Sequence, residues 1–122
     1  MTTAILTLLV FLQIKHWYVD FVDQSMDEIN SKGNYGEWLG IRHSLKHGVL
    51  TYVCIAFMVG AEYWAFALIL AVLDFALHYH IDWCKMNYGN RDISTPQFWN
   101  HLGMDQMFHQ ITYILLGYMV VA

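Results

Sequence analysis

The stretch LDFALHYHIDW, residues 73–83, decides how the rest of the chain is interpreted. It closes an apolar run long enough to enter a bilayer, and it places Asp74, His78 and Asp82 four residues apart. On an α-helix, side chains at that spacing stack on one face, about 6 Å apart along the axis. The stretch therefore predicts a helix with an apolar body and one stripe of histidine and aspartate.

Three other apolar segments carry the same i, i+4 spacing. The repeats are His16 with Asp20, His43 with His47, and the series His101, Asp105 and His109. A hydrophobic core that only packs has no need of such stripes in four separate segments. The repetition indicates that the polar side chains act together.

Composition places the chain among membrane proteins. Of its 122 residues, 57% are hydrophobic and only 13% are charged, whereas a soluble domain is about 25% charged. Lipid would replace the missing polar surface. The net charge is −4, and nothing in the sequence resembles the basic face of a nucleic-acid-binding protein.

We predict an all-α fold, a four-helix transmembrane bundle with up-down-up-down order, as a single domain over residues 1–122. The expected helices are about 3–22, 41–59, 63–83 and 96–121. Polar and apolar halves alternate from one segment to the next, so this order brings every histidine to one end. A three-helix alternative, with residues 49–73 as one long helix across Gly60, would put His43 and His78 on opposite sides of the membrane. The four-helix interpretation is therefore preferred.

The basic residues fall at the same end as the histidines. They are Lys15, Lys32, Arg42, Lys46, Lys85 and Arg91. By the positive-inside rule this end faces the cytoplasm and both termini lie outside. We expect a multi-pass protein of the inner (cytoplasmic) membrane. A bundle this small has little room for a lidded cavity, so a homo-oligomer or a larger membrane assembly is also expected.

The stripes favour a metal site. An Asp or Lys at mid-bilayer costs about 2.5–3.5 kcal/mol, and coordination of a metal would recover that cost. Imidazole and carboxylate are ligands for zinc, iron and manganese. One pair from each helix gives enough ligands for a dinuclear site, although spacing leaves open which histidines bind. The predicted ligands are His16, Asp20, His43, His47, His78, Asp82, Asp105 and His109.

Other polar residues receive supporting roles. Four are expected to hold the ligands in orientation by hydrogen bonds: Gln24, His80, His101 and Gln106. Asp74 is expected to take a proton from a metal-bound water. Lys46, Lys85 or Arg42 would hold an anionic group of the substrate. His80 lies off the stripe and serves equally well as a hydrogen-bonded core residue.

Four motifs cover most of the chain. They are His16-x3-Asp20-Phe21-x2-Gln24, His43-Ser44-Leu45-Lys46-His47, His78-x3-Asp82-x2-Lys85 and Asp105-Gln106-x2-His109. In these motifs and their order the chain resembles a family of small integral-membrane proteins of unknown function found in bacteria and phages. It is also similar in style to the membrane-bound metal-dependent hydrolases, which array histidine and aspartate on apolar helices. This second likeness implies a hydrolase by analogy.

The sequence thus favours a metal-dependent hydrolase at the membrane surface, with zinc as the first choice of metal and iron or manganese as alternatives. A lipid-linked or phosphoester substrate is expected. A di-iron or haem redox protein is a second class, and visible colour would distinguish it from a zinc enzyme. A third class is a non-enzymatic protein that conducts ions or modulates a host complex. A purely structural polar network is the simplest alternative.

Overall fold

The computed structural model describes residues 1–122 and is helical throughout, with no strand. The five α-helices are α1 Thr2–Trp17, α2 Met26–Ser31, α3 Trp38–Met58, α4 Trp64–Tyr88 and α5 Pro96–Val121. A π-helical turn, Tyr18–Val22, continues α1, and a 3-10 turn, Ala61–Tyr63, precedes α4. The predicted all-α class is confirmed.

The boundary between α3 and α4 decides between the two helix counts. Helix α3 ends at Met58, and the chain turns through Val59 and Gly60 before α4 begins. Residues 49–73 therefore do not form one helix, and the three-helix alternative is wrong. Helix α4 continues five residues past its predicted end at residue 83, so Lys85 lies on the helix.

Two helix starts follow from local sequence. Ser25 and Glu28 form a capping box: the Ser25 hydroxyl accepts a hydrogen bond from the Glu28 N–H, and the Glu28 carboxylate accepts one from the Ser25 N–H. This cap explains the short helix α2 within the polar connection. At the start of α5, Thr95 caps the Phe98 N–H and Pro96 occupies the first turn.

The four long helices form a bundle in which α1 and α4 each pack against both α3 and α5. Helices α3 and α4 approach closely at Gly48, where a Cβ atom would meet Phe75 Cβ at 3.1 Å and the Ala71 carbonyl oxygen at 3.3 Å. The short helix α2 packs on α3. One face of each long helix thus reaches a shared interior.

That interior is more polar than the outside. Of 29 buried residues, 16 are polar or charged and 10 are hydrophobic. A small apolar core fills one end of the bundle: Leu8, Leu12, Ile55, Ala67, Leu70, Tyr113 and Leu116. Large apolar side chains cover the outward faces of the four long helices, among them Val10, Ile14, Val53, Phe57, Leu68, Val72 and Ile114.

Two helical stretches, Thr2–Val22 and Ala61–Tyr88, are long and apolar enough to cross a membrane. Helices α3 and α5 are not apolar enough over that length, because their first halves carry the polar side chains. By length and composition, two of the four predicted spans are therefore found.

Candidate metal centre

Asp20 organises the first half of the polar interior. Its Oδ1 atom lies 2.7 Å from His47 Nε2 and 3.0 Å from His43 Nε2. The same oxygen lies 3.6 Å from His78 Nε2. The donor atoms of these four buried side chains lie within 4.8 Å of one another, so together they could hold a metal ion. We call these four residues group A.

Asp82 organises the second half. Its Oδ1 atom lies 3.1 Å from His109 Nε2, and its Oδ2 atom lies 3.2 Å from His78 Nε2. His78, Asp82 and His109 also have their donor atoms within 4.8 Å of one another, and we call them group B. The two groups share His78, whose ring is stacked between the rings of His47 and His109.

Several of these buried atoms make no hydrogen bond. They are both ring nitrogens of His43 and of His78, together with Asp105 Oδ1. Each unpaired buried polar group costs roughly 1–3 kcal/mol. The Nε2 atoms nevertheless lie 3.0–3.6 Å from carboxylate oxygens. Donor atoms that lie this close to one another suit a cation, and imidazole with carboxylate suits a transition metal.

The π-helical turn lies where the chain supplies Asp20. The Asp23 N–H donates to the Tyr18 carbonyl at 2.8 Å, which closes an i→i+5 ring. Such turns are rare in proteins, and those that occur often lie at functional sites. His16 Nε2 remains 3.2 Å from Asp20 Oδ2, so the i, i+4 contact survives the widened turn.

Two predicted ligands lie beside the groups without belonging to either. His16 Nε2 lies 2.7 Å from Gln106 Oε1, and since this oxygen can only accept, the nitrogen donates. The other His16 nitrogen, Nδ1, then accepts from the Tyr113 hydroxyl at 2.7 Å. Asp105 Oδ2 accepts from Lys85, while its Oδ1 lies 3.3 Å from His109 Nε2. Six of the eight predicted ligands thus occupy the two groups: Asp20, His43, His47, His78, Asp82 and His109.

A family model described as "Protein of unknown function (DUF3307)" matches residues 8–122, nearly the whole chain. The chain belongs to the DUF3307 family. The sequence-based assignment to an uncharacterised family is therefore confirmed. No curated protein and no solved structure matches the chain.

The DUF3307 chain also buries two lysines that the sequence interpretation did not place at the centre. Lys32 Nζ lies 3.0 Å from Asp82 Oδ2. Burial alone would lower the pKa of Lys32, but the nearby carboxylates of Asp82, Asp20 and Asp105 outweigh it and raise this pKa above its usual value. Burial of Lys15 could have been predicted from the sequence, because it precedes His16 in an apolar helix. Burial of Lys32 could not, because Lys32 lies in a connection between helices.

Asp74 reaches the centre only through Lys15. Asp74 Oδ2 accepts hydrogen bonds from Lys15 Nζ at 3.0 Å and from the Thr51 hydroxyl at 2.5 Å. Lys15 Nζ in turn lies 3.1 Å from His47 Nδ1. Both groups on this oxygen are hydrogen-bond donors, so the geometry suits a residue that orients His47 through Lys15. The role of Asp74 as proton acceptor for a metal-bound water stays a prediction.

The residues predicted to support the ligands divide into two pairs. Gln106 bonds His16 and Asp105, and Gln24 Nε2 donates to the Asp20 carbonyl at 2.7 Å. The structure does not bring His80 and His101 to the centre. His80 lies two residues from His78, so it projects from another face of α4; it is exposed and accepts from the Tyr35 hydroxyl at 2.9 Å. His101 lies two turns before His109 on α5 and accepts from the Asn90 N–H.

The predicted anion-binding residues border two cavities. Arg42 and Lys46 line a cavity of about 300 Å³ at the polar end and both bind the buried carboxylate of Glu28. Burial would raise the pKa of Glu28, but these two cations hold it below its usual value. Lys85 pairs with Asp105 at 3.2 Å. That pair borders a mostly apolar cavity of about 470 Å³ between α4 and α5.

Proposed function

We propose that this DUF3307 protein is an integral-membrane metal-dependent hydrolase whose metal is bound by the buried histidines and aspartates. The observation that carries the proposal is the set of unpaired, buried ring nitrogens of His43 and His78 beside the carboxylates of Asp20 and Asp82. Zinc is the proposed metal, because its usual ligands are nitrogen and oxygen donors of this kind.

The distribution of polarity supports a membrane location. Phe57 is 79% exposed and Ile69 is 64% exposed, while His43, His47 and Asp74 are at most 1% exposed. In water, extensive exposed apolar surface is unfavourable by about 25 cal/mol per Å², and lipid removes that cost. We propose that all four long helices span the inner membrane, with the polar end and its basic residues in the cytoplasmic half.

The chemistry of the site supports hydrolysis. A bound divalent ion lowers the pKa of a coordinated water and polarises a phosphoryl or carbonyl oxygen. The cavity between α4 and α5 is bordered by Asp105, which contacts His109 of group B, and group B shares His78 with group A. Leu77, Ile81 and Phe108 line its apolar part. We propose that it holds the hydrocarbon chain of a lipid-linked phosphoester, whose anionic group lies near Lys85.

Metal content tests the first half of the proposal. The native protein, purified in detergent and supplemented with zinc, manganese or iron in separate preparations, is analysed by plasma mass spectrometry. We expect near-stoichiometric metal in the native chain and in His80→Ala, whose histidine lies outside the centre, and a loss of at least tenfold in His47→Ala. A folded native protein that takes up none of these metals overturns metal binding.

Phosphate release from a short-chain phosphatidic acid in mixed micelles tests the second half. We expect turnover that requires the metal and is lost in His47→Ala, and a raised KM in Lys85→Met. A metal-loaded protein that releases no phosphate from this probe would show that the lipid-phosphoester assignment is wrong, while metal binding would stand.

A further inference from the structure

We infer that the centre holds one metal ion, in group A, and that the ammonium of Lys32 occupies the position of a second cation beside Asp82. This inference rests on the proposed metal binding and replaces the dinuclear site expected from the sequence. It makes Lys32 a positioning residue supplied by the connection between α2 and α3.

The Nε2 atom of the shared histidine cannot serve both groups. His78 Nε2 lies 3.6 Å from Asp20 Oδ1 and 3.2 Å from Asp82 Oδ2. A ring nitrogen has one lone pair and binds one ion. If group A takes His78, group B is left with Asp82 and His109. Lys32 already contacts the second oxygen of Asp82, at 3.0 Å.

The distribution of charge selects group A. Three of the four buried aspartates have a lysine partner: Asp74 with Lys15, Asp82 with Lys32, and Asp105 with Lys85. Asp20 has only imidazole partners. These four aspartates and three lysines carry a net charge of −1, so one divalent ion brings this set to +1 and two would bring it to +3. The fifth buried carboxylate, Glu28, is paired with Arg42 and Lys46. Excess charge in a buried site is costly, and Asp20 is the carboxylate that lacks a lysine.

The backbone on both sides of Lys32 is fixed. Before it, the Ser31 hydroxyl accepts a hydrogen bond from the Gly40 N–H at 3.1 Å. After it, the Gly33 carbonyl accepts one from Asn87 Nδ2 of α4 at 3.0 Å. Lys32 itself is only 4% exposed. The ammonium group of Lys32 is therefore held in a fixed position at the centre, unlike that of a flexible surface lysine.

Metal stoichiometry of the full chain in detergent tests the inference. The protein is stripped with chelator, reloaded with Zn²⁺ and freed of excess ion, and metal per chain is measured for five proteins. We expect one equivalent in the native chain, in Lys32→Arg and in Asp82→Asn. Asp20→Asn should retain at least tenfold less metal per chain. Lys32→Met removes the cation from Asp82 at similar volume, so we expect its metal content to double as Asp82, His109 and Asp105 take a second ion.

The outcomes separate this inference from the proposed function. Two equivalents in the native chain would leave metal binding intact and overturn the inference. So would one equivalent that is lost in Asp82→Asn and kept in Asp20→Asn, because the ion would then lie in group B. A Lys32→Met protein that stays at one equivalent would refute the role given to its ammonium. No metal in the native chain would overturn the proposed function and the inference with it.

Discussion

The buried ion pair of Lys15 and Asp74 gives the sharpest test of the polar interior. The two charged atoms lie 3.0 Å apart, and the side chains are 5% and 2% exposed. At an effective dielectric constant of 20, their attraction is about 5–6 kcal/mol, and the desolvation of both ions opposes it. Removing one partner of such a pair leaves an uncompensated charge, which costs about 3–5 kcal/mol.

We therefore expect Lys15→Met and Asp74→Asn each to lower the free energy of unfolding by about 3–5 kcal/mol. The double variant should be more stable than the sum of the two losses by at least about 2 kcal/mol, because it leaves no unpaired charge. Unfolding is followed by circular dichroism in detergent with chelator present, so that metal binding does not contribute.

The more exposed pair of Lys46 and Asp23 is the control. Lys46 also contacts the buried Glu28, so only the coupling between Lys46 and Asp23 in a double-mutant cycle is compared. The two side chains are 27% and 52% exposed, and exposed pairs contribute less than about 1 kcal/mol. The reasoning fails if the Lys15 and Asp74 losses add to within about 0.5 kcal/mol, or if both pairs show the same coupling.

Three further outcomes follow from single contacts. Because the pKa of Glu28 is lowered in the folded protein, its charge stabilises the fold above the ordinary glutamate pKa, and this stabilisation is lost as pH falls through the lower folded value. Glu28→Gln should lower the free energy of unfolding by about 1.5–3 kcal/mol at pH 7. In thermal melts this variant should not show the loss of stability that the native protein shows between pH 5 and 3. Tyr113→Phe removes the donor to His16 Nδ1 and should cost about 1–3 kcal/mol in chemical unfolding with zinc content unchanged. Gly48→Ala should destabilise by about 1–3 kcal/mol through the close contact of α3 with α4, whereas Gly103→Ala, with nothing within 4 Å of the added atom, should be neutral or slightly stabilising in the same assay.

The i, i+4 spacing predicted the centre because it is a property of the helix alone. On α3 it places His43 and His47 on one face, and the alternation of polarity brings that face level with His78 on α4. The same reasoning could not exclude His101, because its spacing from Asp105 is as good as that of His109. The two histidines differ in their position along the helix. His101 lies near the start of α5, beside the polar connection, where it accepts a hydrogen bond from the Asn90 N–H.

The positions of the buried lysines were harder to predict from the sequence. Lys32 has no helical period to fix its direction, and its position depends on how the connection folds back over α3 and α4. Hydrogen bonds between residues far apart in sequence, such as Asn87 and Gly33, hold that connection in place. Such contacts become visible only in three dimensions. They also decide whether group B is open to a metal, which is why the sequence suggested two ions where we propose one.

The polar network ends inside the bundle, and this favours a closed site over a conducting path. From Asp82 it continues through His78 and Asp20 to His47, and then through Lys15 to Asp74 and Thr51. Beyond this point the buried side chains are apolar: Leu8, Leu12, Ile55, Ala67, Leu70 and Leu116. A proton or ion path across the membrane needs polar groups on both sides of its middle. Here one half of the interior holds the charged side chains and the other half is apolar, which fits the proposed metal centre open to one side only.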